Sequence, residues 1–584
     1  MLHLIRPIVV IAAILVSACS EATPPRKAMV ATANTHATKA AADILLQGGS
    51  ATDAAITAQL VLTLTEPQSS GIGGGLFMLH YNGTNQDITS FDGREKAPLA
   101  ADERLFLKAD GSPMPWLDAA YGGRPVGTPG VIAALWKAHQ KFGKLPWATL
   151  FKPAIDLAET GFPVSERLQM AIEEADLLEA DTDASEIYFI PDNGTASKTG
   201  ALPVGHTLKN PAYARTLKLI AEKGLDGFYK GEIAEAIVTA VQSHAENPGL
   251  LSLEDLASYE AIERQPVCQS YRNFNVCGMG PPTSGGLTTL MILGMLEPYN
   301  ISALHPDGVM AAHLFSQASR LAFADRDKYM GDADFIDVPV AGLLDKKYLR
   351  SRARLINPLA DMGKIGAGTP AQAAVPKTAS SADIIENGTS HLAIVDLDGN
   401  AVSMTMSVER SFGARITAAG FVLNNQLTDF SFIPSYGGNP VANKVEAGKR
   451  PRSSMSPTLI LNNDGSLFAA VGSPGGSRII GYTTQALIGL MDWNMSMQTA
   501  ISQRHIINRN DRTEIEDVSV GSDLFNTLVS FGKLAAPLAD MGHDVQVKEL
   551  NSGLHGIRVL ENGNHEGGAD PRREGTVVDV ISDQ

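Results

Sequence analysis

A threonine stands where a long segment without apolar periodicity meets a hairpin of two β-prone runs. Residues 364–388 are rich in Gly, Ala, Pro, Ser and Thr, which is typical of an exposed loop or tail. The two runs that follow flank Asp398-Gly399, a strong hairpin signal. If the Gly388–Thr389 bond is cut, Thr389 gains an α-amine that serves as a base near neutral pH, because its unperturbed pKa is about 7.7–8.0. The junction therefore predicts an autoproteolytic N-terminal nucleophile.

The hairpin also predicts a neighbour for this threonine. With the Asp-Gly pair at the centre of the turn, Thr389 faces Val408, and shifting the turn by one places it opposite Met406. In either register the Ser407 hydroxyl lies within one diagonal of Thr389. It would then polarise or orient the nucleophile; the alternative is a cross-strand Thr/Ser pair that merely fits the sheet.

Length and charge narrow the classes of protein. The 584 residues suffice for a large core, and 44% hydrophobic with 19% charged residues is ordinary for a globular protein. The net charge is −16, and no basic block is long enough to follow a phosphate backbone. These features argue against nucleic acid as a partner.

Residues 1–18 are interpreted as a targeting segment. Arg6 precedes an apolar run of nine residues, whereas spanning a bilayer needs about 20. The run ends in Val16-Ser-Ala-Cys19, which resembles the lipobox of bacterial lipoproteins, with a plain secretory signal cut near Ala18 as the alternative. We expect acylation of Cys19, a linker over residues 19–27, and a body in the periplasm or outside the cell, with Ser20 favouring the outer membrane.

Two further cysteines remain, Cys268 and Cys277, which flank a segment able to turn as a hairpin. In an oxidising compartment they are candidates for a disulfide. Their spacing fits neither a zinc site nor a redox dithiol, and the sequence offers no metal cluster.

The remaining pattern is mixed helix and strand. Helices are predicted at residues 37–47, 51–64, 131–142, 147–159, 310–329 and 478–491, and strands at 76–81, 420–425, 458–462 and 467–472. Two strand-rich layers covered by helices indicate an α+β fold or a four-layer sandwich. The glycine run at 71–75 lacks a P-loop Lys-Ser/Thr and precedes a strand, which excludes nucleotide binding there.

A second glycine-rich turn, residues 472–478, lies between a predicted strand and a predicted helix. Consecutive glycines there are able to aim two backbone N–H groups at one point near the positive end of the helix. Such a site stabilises the oxyanion that forms when an amide is attacked. The alternative is a tight turn that requires positive φ.

Two sets of polar residues suit the two charged groups of an amino acid. An arginine fork with hydroxyls is what a carboxylate needs, and acidic and amide groups hold an ammonium. The carboxylate candidates are Arg94, Ser453 and Ser454; the ammonium candidates are Glu409, Gln426 and Asp429.

Together these motifs resemble the γ-glutamyltranspeptidase (glutathione hydrolase) family of N-terminal nucleophile hydrolases. The resemblance covers nearly the whole mature chain and runs through an ordered set of motifs: GIGGGLF at 71–77, GTPG at 127–130, PPTSGG at 281–286, TSH at 389–391, LNNQLTDF at 423–430, RPRSSMSP at 450–457 and GSPGGSR at 472–478. The fold that the resemblance implies is an αββα sandwich of two intertwined subunits, residues 28–388 and 389–584.

The resemblance also assigns roles by position. Thr389 is the implied nucleophile for self-cleavage at Gly388 and for turnover, and Gly475 and Gly476 are the implied oxyanion-hole glycines. Ser407 stands where the family usually has a second threonine. Arg94, Ser453 and Ser454 match the α-carboxylate binders, and Glu409, Gln426 and Asp429 match the α-amine binders. The implied reaction transfers a γ-glutamyl group through a Thr389 ester to water or to an amino acid or dipeptide, without metal or organic cofactor.

Alternatives stay open at this point. A relative such as a glutaryl-cephalosporin acylase cleaves a different amide, and the ammonium set argues against it because a glutaryl chain has no amine. A poly-γ-glutamate depolymerase or transferase would suit an open site, and the segment at 430–452, which includes Tyr436, reads as a moderately short cover. A non-catalytic binding lipoprotein is the alternative outside enzymes.

Overall fold

The computed structural model describes residues 27–190, 200–371, 373, 388–517 and 531–581. The predicted targeting segment, Cys19 and most of the predicted 364–388 tail lie outside these residues. The strands are β1 Lys27–Thr32, β2 Gly75–Tyr81, β3 Ile88–Gly93, β4 Phe162–Pro163, β5 Thr207–Leu208, β6 Ile262–Arg264, β7 Val267–Tyr271, β8 Phe274–Gly278, β9 Ser390–Val395, β10 Ala401–Ser407, β11 Thr417–Ala418, β12 Phe421–Val422, β13 Ser435–Tyr436, β14 Asn439–Pro440, β15 Thr458–Asn462, β16 Leu467–Gly472, β17 Ile506–Asn508, β18 Thr513–Glu516, β19 Val545–Lys548, β20 His555–Val559, β21 His565–Ala569 and β22 Thr576–Ile581.

The helices cover both faces of the strand-rich centre. They are α1 Thr35–Leu46, α2 Ala51–Thr65, α3 Trp116–Ala120, α4 Val131–Phe142, α5 Lys152–Thr160, α6 Glu166–Glu173, α7 Thr182–Tyr188, α8 Pro211–Lys223, α9 Asp226–Tyr229, α10 Glu232–Gln242, α11 Leu253–Ala257, α12 Gly285–Leu296, α13 Val309–Tyr329, α14 Val340–Leu343, α15 Lys346–Ala353, α16 Ile479–Met491, α17 Met497–Ile501 and α18 Ala536–Asp540. Short 3₁₀ turns lie at Trp147–Phe151, Leu178–Ala180, Ile301–Ala303, Gln426–Asp429 and Gly476–Arg478, and a π turn at Phe531–Ala535.

Two antiparallel sheets form the centre. The first has seven strands in the order β22-β1-β9-β10-β2-β3-β6, and the second has six in the order β21-β20-β16-β15-β8-β7. Helices α1, α2 and α4 pack on the outer face of the first sheet, and α12, α16 and α17 pack on the outer face of the second. The α+β class and the four-layer αββα sandwich predicted from the sequence are confirmed.

Alternation along β9 shows why the layers form. Leu392 and Ile394 face the core under α2, whereas Ala393 and Val395 face the core between the two sheets. Because successive side chains of a strand point to opposite faces, a strand apolar at every position is buried on both sides. Helix α2 is likewise buried at all its positions, and its start is fixed by a capping box between Ser50 and Asp53.

Both sheets contain strands from before and from after residue 388. In the first sheet β1 lies between β22 and β9, and β10 pairs with β2. In the second sheet β15 pairs with β8. A cut between residues 388 and 389 therefore leaves two fragments joined by the hydrogen-bond ladders of both sheets.

The register of the β9–β10 hairpin differs from both predicted registers. Ser390 pairs with Met406 and Val395 with Ala401, so the turn comprises five residues and Thr389 precedes the strand opposite Ser407. The reason is the side chain of Asp396, which accepts hydrogen bonds from the backbone N–H groups of Asp398 and Asn400 and builds a longer turn.

Most other sequence-based elements are confirmed, including the strands at 458–462 and 467–472 and the helix at 131–142. The strand predicted at 420–425 is wrong in extent: only Phe421–Val422 pairs, because Asn424 turns its amide to the carbonyl oxygens of Gly73 and Gly127. Cys268 and Cys277 face each other on β7 and β8 and are joined by a disulfide. Among the described residues no helix is long and apolar enough to cross a membrane.

Candidate active site

Every polar group of Thr389 has a fixed partner. Its backbone N–H donates to the Ser69 carbonyl oxygen at 2.7 Å, and its own carbonyl oxygen accepts from Arg573 Nη1 at 3.0 Å. Its hydroxyl lies 2.9 Å from the Ser407 hydroxyl, and the residue is only 4% exposed. The predicted nucleophile is thus held through its backbone by two segments distant in sequence and through its hydroxyl by the neighbouring strand.

The backbone at Thr389 is strained. Its φ is +88°, a conformation that β-branched residues rarely adopt and that costs on the order of 1–3 kcal/mol. Gly388 before it lies against the backbone of the segment after β10, since a Cβ there would come within 2.1 Å of the Glu409 carbonyl oxygen. The strain and the close packing both fall on the bond that the sequence predicts to be cut.

Ser407 links the nucleophile to the polar pocket. Its hydroxyl accepts the backbone N–H of Glu409 at 2.8 Å while it contacts the Thr389 hydroxyl. With its acceptor side engaged in this way, the Ser407 hydroxyl is oriented rather than free to rotate. The glycine run at 71–75 makes room for this corner: a Cβ on Gly74 would lie 2.1 Å from the Ser407 carbonyl oxygen.

Arg94 is fully buried and forms the cationic end of the pocket. It donates to the carbonyl oxygens of Pro451 and Arg452 and forms an ion pair with Asp429. Burial works against its charge, but Asp429, Glu95 and Glu409 together raise its pKa. The guanidinium stays charged, and its contacts reach the segment directly before Ser453.

The predicted ammonium set is assembled beside it. Gln426 Nε2 donates to Glu409 Oε2 at 2.6 Å, and Gln426 Oε1 is buried without a partner. Asp429 is the last residue of the 3₁₀ turn that begins at Gln426. Its side chain is 18% exposed and forms the ion pair with Arg94. Two carboxylates and an amide oxygen thus lie next to one buried arginine, an arrangement that complements a ligand carrying both an ammonium and a carboxylate.

The two serines predicted to bind a carboxylate, Ser453 and Ser454, pack against the turn at residues 281–284. Ser453 is buried and forms a parallel bridge with Thr283, and its backbone N–H donates to the Pro282 carbonyl oxygen at 3.2 Å. Ser454 is partly exposed and accepts a hydrogen bond from Arg326 Nη2 at 2.7 Å. The peptide bond between Pro281 and Pro282 in this turn is cis.

The predicted oxyanion glycines lie at the start of α16. Gly475 and Gly476 have φ of +126° and +59°, and they lead through a 3₁₀ turn into the helix. Gly475 packs on Tyr482, and a Cβ on this glycine would lie 3.8 Å from the Asn551 carbonyl oxygen. That oxygen also accepts a hydrogen bond from Arg573. The glycine turn and Thr389 thus share a neighbour, because Arg573 donates both to the Asn551 carbonyl oxygen and to the Thr389 carbonyl oxygen.

The sequence did not predict several residues that contact this site. Arg573 holds the Thr389 carbonyl oxygen, and Arg326 holds Ser454. Glu95 lies under the pocket, fully buried, with Oε2 3.5 Å from Arg94 and Oε1 without a partner. The signal for Glu95 was its position next to Arg94 in the chain, whereas Arg326 and Arg573 are far from the motifs in sequence.

His391 of the TSH motif is buried between the sheets. Its Nδ1 is 2.8 Å from the Thr405 hydroxyl, and its ring lies against Gly472, where a Cβ would come within 2.4 Å. Burial, with His555 nearby, lowers its pKa well below the usual value, so the ring is neutral. Its contacts support the strand that carries Thr389.

The described part of the chain, with its gaps at 191–199, 372, 374–387 and 518–530, has no group of three or more His, Cys, Asp or Glu side chains arranged to hold a metal ion.

The cover predicted at 430–452 is a loop with a small hairpin, β13–β14, whose Tyr436 is 69% exposed.

Comparison with known proteins gives a consistent result. The model of the gamma-glutamyltranspeptidase family matches residues 37–580. The glutathione hydrolase proenzyme of Bacillus subtilis (strain 168) is 35% identical over 560 residues, which cover 94% of this chain and 91% of that protein. The glutathione hydrolase proenzyme of Escherichia coli (strain K12) is 35% identical over 561 residues, or 94% and 90% of the two chains.

A solved structure has the same architecture. The cephalosporin acylase from Bacillus halodurans superimposes with a TM-score of 0.79 at 27% identity, covering 95% of this chain and 96% of that chain. The similarity extends across both sheets and both helical layers, not only across the motifs.

The buried carboxyl of Glu95 generates a prediction about pH. Burial, opposed in part by Arg94, raises its pKa to about 8, whereas an unfolded glutamate titrates near about 4.3. Between those values the folded protein holds a proton that the unfolded chain has lost, so Glu95 makes stability fall as pH rises. As the pH rises from about 5.5 to about 8, we expect the free energy of unfolding of Glu95→Gln to increase by roughly 1–4 kcal/mol relative to that of wild type.

The measurement is the apparent melting temperature of both proteins at the two pH values. Glu561→Gln, at an exposed loop position, is the matched control and should follow wild type. Equal pH dependence in wild type and Glu95→Gln would contradict a protonated Glu95.

Proposed function

This chain belongs to the gamma-glutamyltranspeptidase family, and on that premise we propose that it cuts itself before Thr389 and then transfers γ-glutamyl groups from glutathione and related amides to water or amines. The observation that carries the proposal is the buried Thr389–Ser407 hydroxyl pair, 2.9 Å apart, at the strained start of β9. A threonine in this setting has the hydroxyl, the neighbour and, after cleavage, the amine that the chemistry needs.

Maturation proceeds by an N→O acyl shift. The Thr389 hydroxyl attacks the Gly388 carbonyl carbon, the C–N bond breaks, and the proton of the hydroxyl passes to the departing nitrogen. Water then hydrolyses the resulting ester and releases the Thr389 α-amine. The products are a large subunit ending at Gly388 and a small catalytic subunit, 389–584, and both sheets keep them together.

Turnover repeats the same attack on a substrate. The Thr389 hydroxyl gives its proton to its own α-amine and bonds to the γ-carbonyl carbon, and the leaving amine takes up a proton as the amide C–N bond breaks. Water converts the γ-glutamyl ester to glutamate, and an amino acid or dipeptide converts it to a new γ-glutamyl amide. Gly475 and Gly476, at positive φ before α16, are proposed to donate N–H groups to the oxyanion.

The charged pocket supports recognition of the glutamyl end. We assign the α-carboxylate to Arg94, Ser453 and Ser454, and the α-ammonium to Glu409, Gln426 and Asp429. Asp429 pairs with Arg94 in the structure, so a zwitterion would exchange this internal ion pair for two pairs with the ligand. The unpartnered Gln426 Oε1 is an acceptor available to the ammonium.

An acylase of the same family is the second candidate, and its support is the architectural similarity to a cephalosporin acylase. A glutaryl group has a carboxylate but no amine, so it would offer no ammonium to the Glu409 and Asp429 carboxylates assigned to that group. The pocket therefore favours the γ-glutamyl group.

We also propose that Cys19 is acylated and that the mature protein is held on the outer membrane, with its body in the periplasm or at the cell surface. The support is the lipobox-like sequence before Cys19 and a disulfide between Cys268 and Cys277, which suits an oxidising compartment.

The first test of this function is self-cleavage of the body without residues 1–19. Wild type should yield two fragments that meet at Gly388/Thr389 by intact mass, co-elute in native chromatography and separate in denaturant. Thr389→Ala should stay whole and inactive, whereas Thr389→Ser keeps the hydroxyl and should cut and retain activity. A folded wild-type chain that remains whole would remove the nucleophile assignment and leave a binding lipoprotein.

The second test uses two donors that differ only in the α-amine, γ-glutamyl-p-nitroanilide and glutaryl-p-nitroanilide. We expect wild type to prefer the first, and Asp429→Asn to reduce that preference by about tenfold to a hundredfold, because one charged hydrogen bond to the ammonium is lost. The readout is the ratio of kcat/KM values. A wild-type preference for the glutaryl donor would establish the acylase instead.

The third test concerns the anchor. The full-length protein should partition into the detergent phase of a Triton X-114 extract, and Cys19→Ala should remain in the aqueous phase or with uncleaved precursor, since a single acylated residue carries the membrane affinity. Equal partitioning of both forms would refute lipidation at Cys19.

A further inference from the structure

The PPTSGG turn of the large subunit is paired along the two serines assigned to the substrate carboxylate. Ser284 donates to the Ser453 carbonyl oxygen twice, from its backbone N–H at 2.8 Å and from its hydroxyl at 2.7 Å. Thr283 Oγ1 donates to the Met455 carbonyl oxygen at 2.7 Å. This turn therefore fixes the backbone on both sides of Ser454.

One buried arginine ties the turn to the serine pair. Arg326, in the last turn of α13, is 3% exposed. Its Nε donates to the Ser284 hydroxyl at 2.9 Å and its Nη2 to the Ser454 hydroxyl at 2.7 Å. The planar fork of a guanidinium spans two acceptors in a way that a lysine ammonium does not.

These bonds determine which way the hydroxyl protons point. A serine hydroxyl has one proton, and an oxygen that accepts from an arginine is free to donate its own proton elsewhere. Ser454 accepts from Arg326, and Ser453 Oγ accepts the Met455 backbone N–H at 3.1 Å. Both serines thus have a protein donor on the acceptor side, which leaves their protons for an anionic acceptor.

The positive charge of Arg326 also favours donation by the Ser454 hydroxyl. Arg326 places a cation one hydrogen bond behind Ser454, and Asp327 balances part of that charge through its contact with Arg326 Nη1 at 3.0 Å. A hydroxyl polarised by a cation is a stronger donor to a carboxylate. A neutral side chain at residue 326 would remove both the charge and the bond that orients Ser454.

We propose that Arg326 is a positioning residue for recognition of the α-carboxylate, acting through the Ser454 hydroxyl, which it holds as a donor towards the substrate. This inference rests on the proposed function, in which Ser453 and Ser454 bind the carboxylate of the γ-glutamyl group. It adds a large-subunit residue to a binding site whose hydroxyls belong to the small subunit.

The test is a double-mutant cycle of Arg326→Gln, Ser454→Ala and the combined variant, with γ-glutamyl-p-nitroanilide as donor. We expect each single change to raise KM by about tenfold to a hundredfold, because each removes or misdirects one hydrogen bond to a charged group. The kcat value should stay within about threefold, since the carboxylate is bound equally in ground and transition states. The double variant should resemble Ser454→Ala alone.

Two further proteins complete the design. Arg326→Lys keeps the charge but not the fork, so its KM should lie between wild type and Arg326→Gln, and it carries the cycle if the glutamine variant does not fold and self-cleave. Arg350→Gln, at an exposed position of α15, is the matched control and should leave both constants unchanged.

The outcomes separate the two proposals. KM effects that multiply in the double variant, or a fall in kcat with unchanged KM, would overturn the role of Arg326 while the proposed function stands. A wild-type protein that self-cleaves but does not turn over γ-glutamyl-p-nitroanilide would overturn the function itself. As a second readout, 4-aminobutanoyl-p-nitroanilide lacks only the α-carboxylate, and Arg326→Gln should not change its kcat/KM.

Discussion

The interaction on which the site depends is the seating of β9 between β1 and β10. This pairing puts Thr389 at the first position before a fully buried strand, where Ser69, Arg573 and Ser407 each hold one of its polar groups. No local sequence preference would keep a β-branched residue at φ +88°, since the conformation is unfavourable for it. The contacts of the surrounding sheet hold the residue in this conformation, and the packing of both layers offsets its conformational free energy.

The pocket beside this threonine is built from opposed charges rather than from apolar surface. Arg94 carries its charge in full burial because carboxylates surround it, and Asp429 is both its ion-pair partner and the group proposed to bind the ligand ammonium. Burial, helped by the nearby Asp429 and Asp92 and opposed in part by Arg94, raises the pKa of Glu95 to about 8, so this carboxyl is protonated near neutral pH. The proposed recognition of a zwitterion and the charge balance around Arg94 therefore depend on the same residues.

The sequence predicted the elements well where periodicity is strong, as in α4, β15 and β16, and it predicted the Thr389–Ser407 contact despite the wrong register. Register depends on the turn, and the Asp396 side chain that lengthens the turn acts through hydrogen bonds that the pattern of apolar residues does not report. The supporting residues behind the site, such as Arg326, were missed for a related reason. They reach the site only through tertiary contacts between segments more than a hundred residues apart.

The interlaced strands also set the order of events in maturation. Ser407 lies on β10, whose other neighbour β2 belongs to the large subunit, and Ser454 depends on a turn and an arginine of that subunit. A free 389–584 fragment would lack β1 and β2, which flank the β9–β10 pair, as well as the partners of Thr389 from the Ser69 segment. The nucleophile is therefore assembled only when the uncut chain has folded. In the proposed maturation, cleavage before Thr389 therefore follows folding.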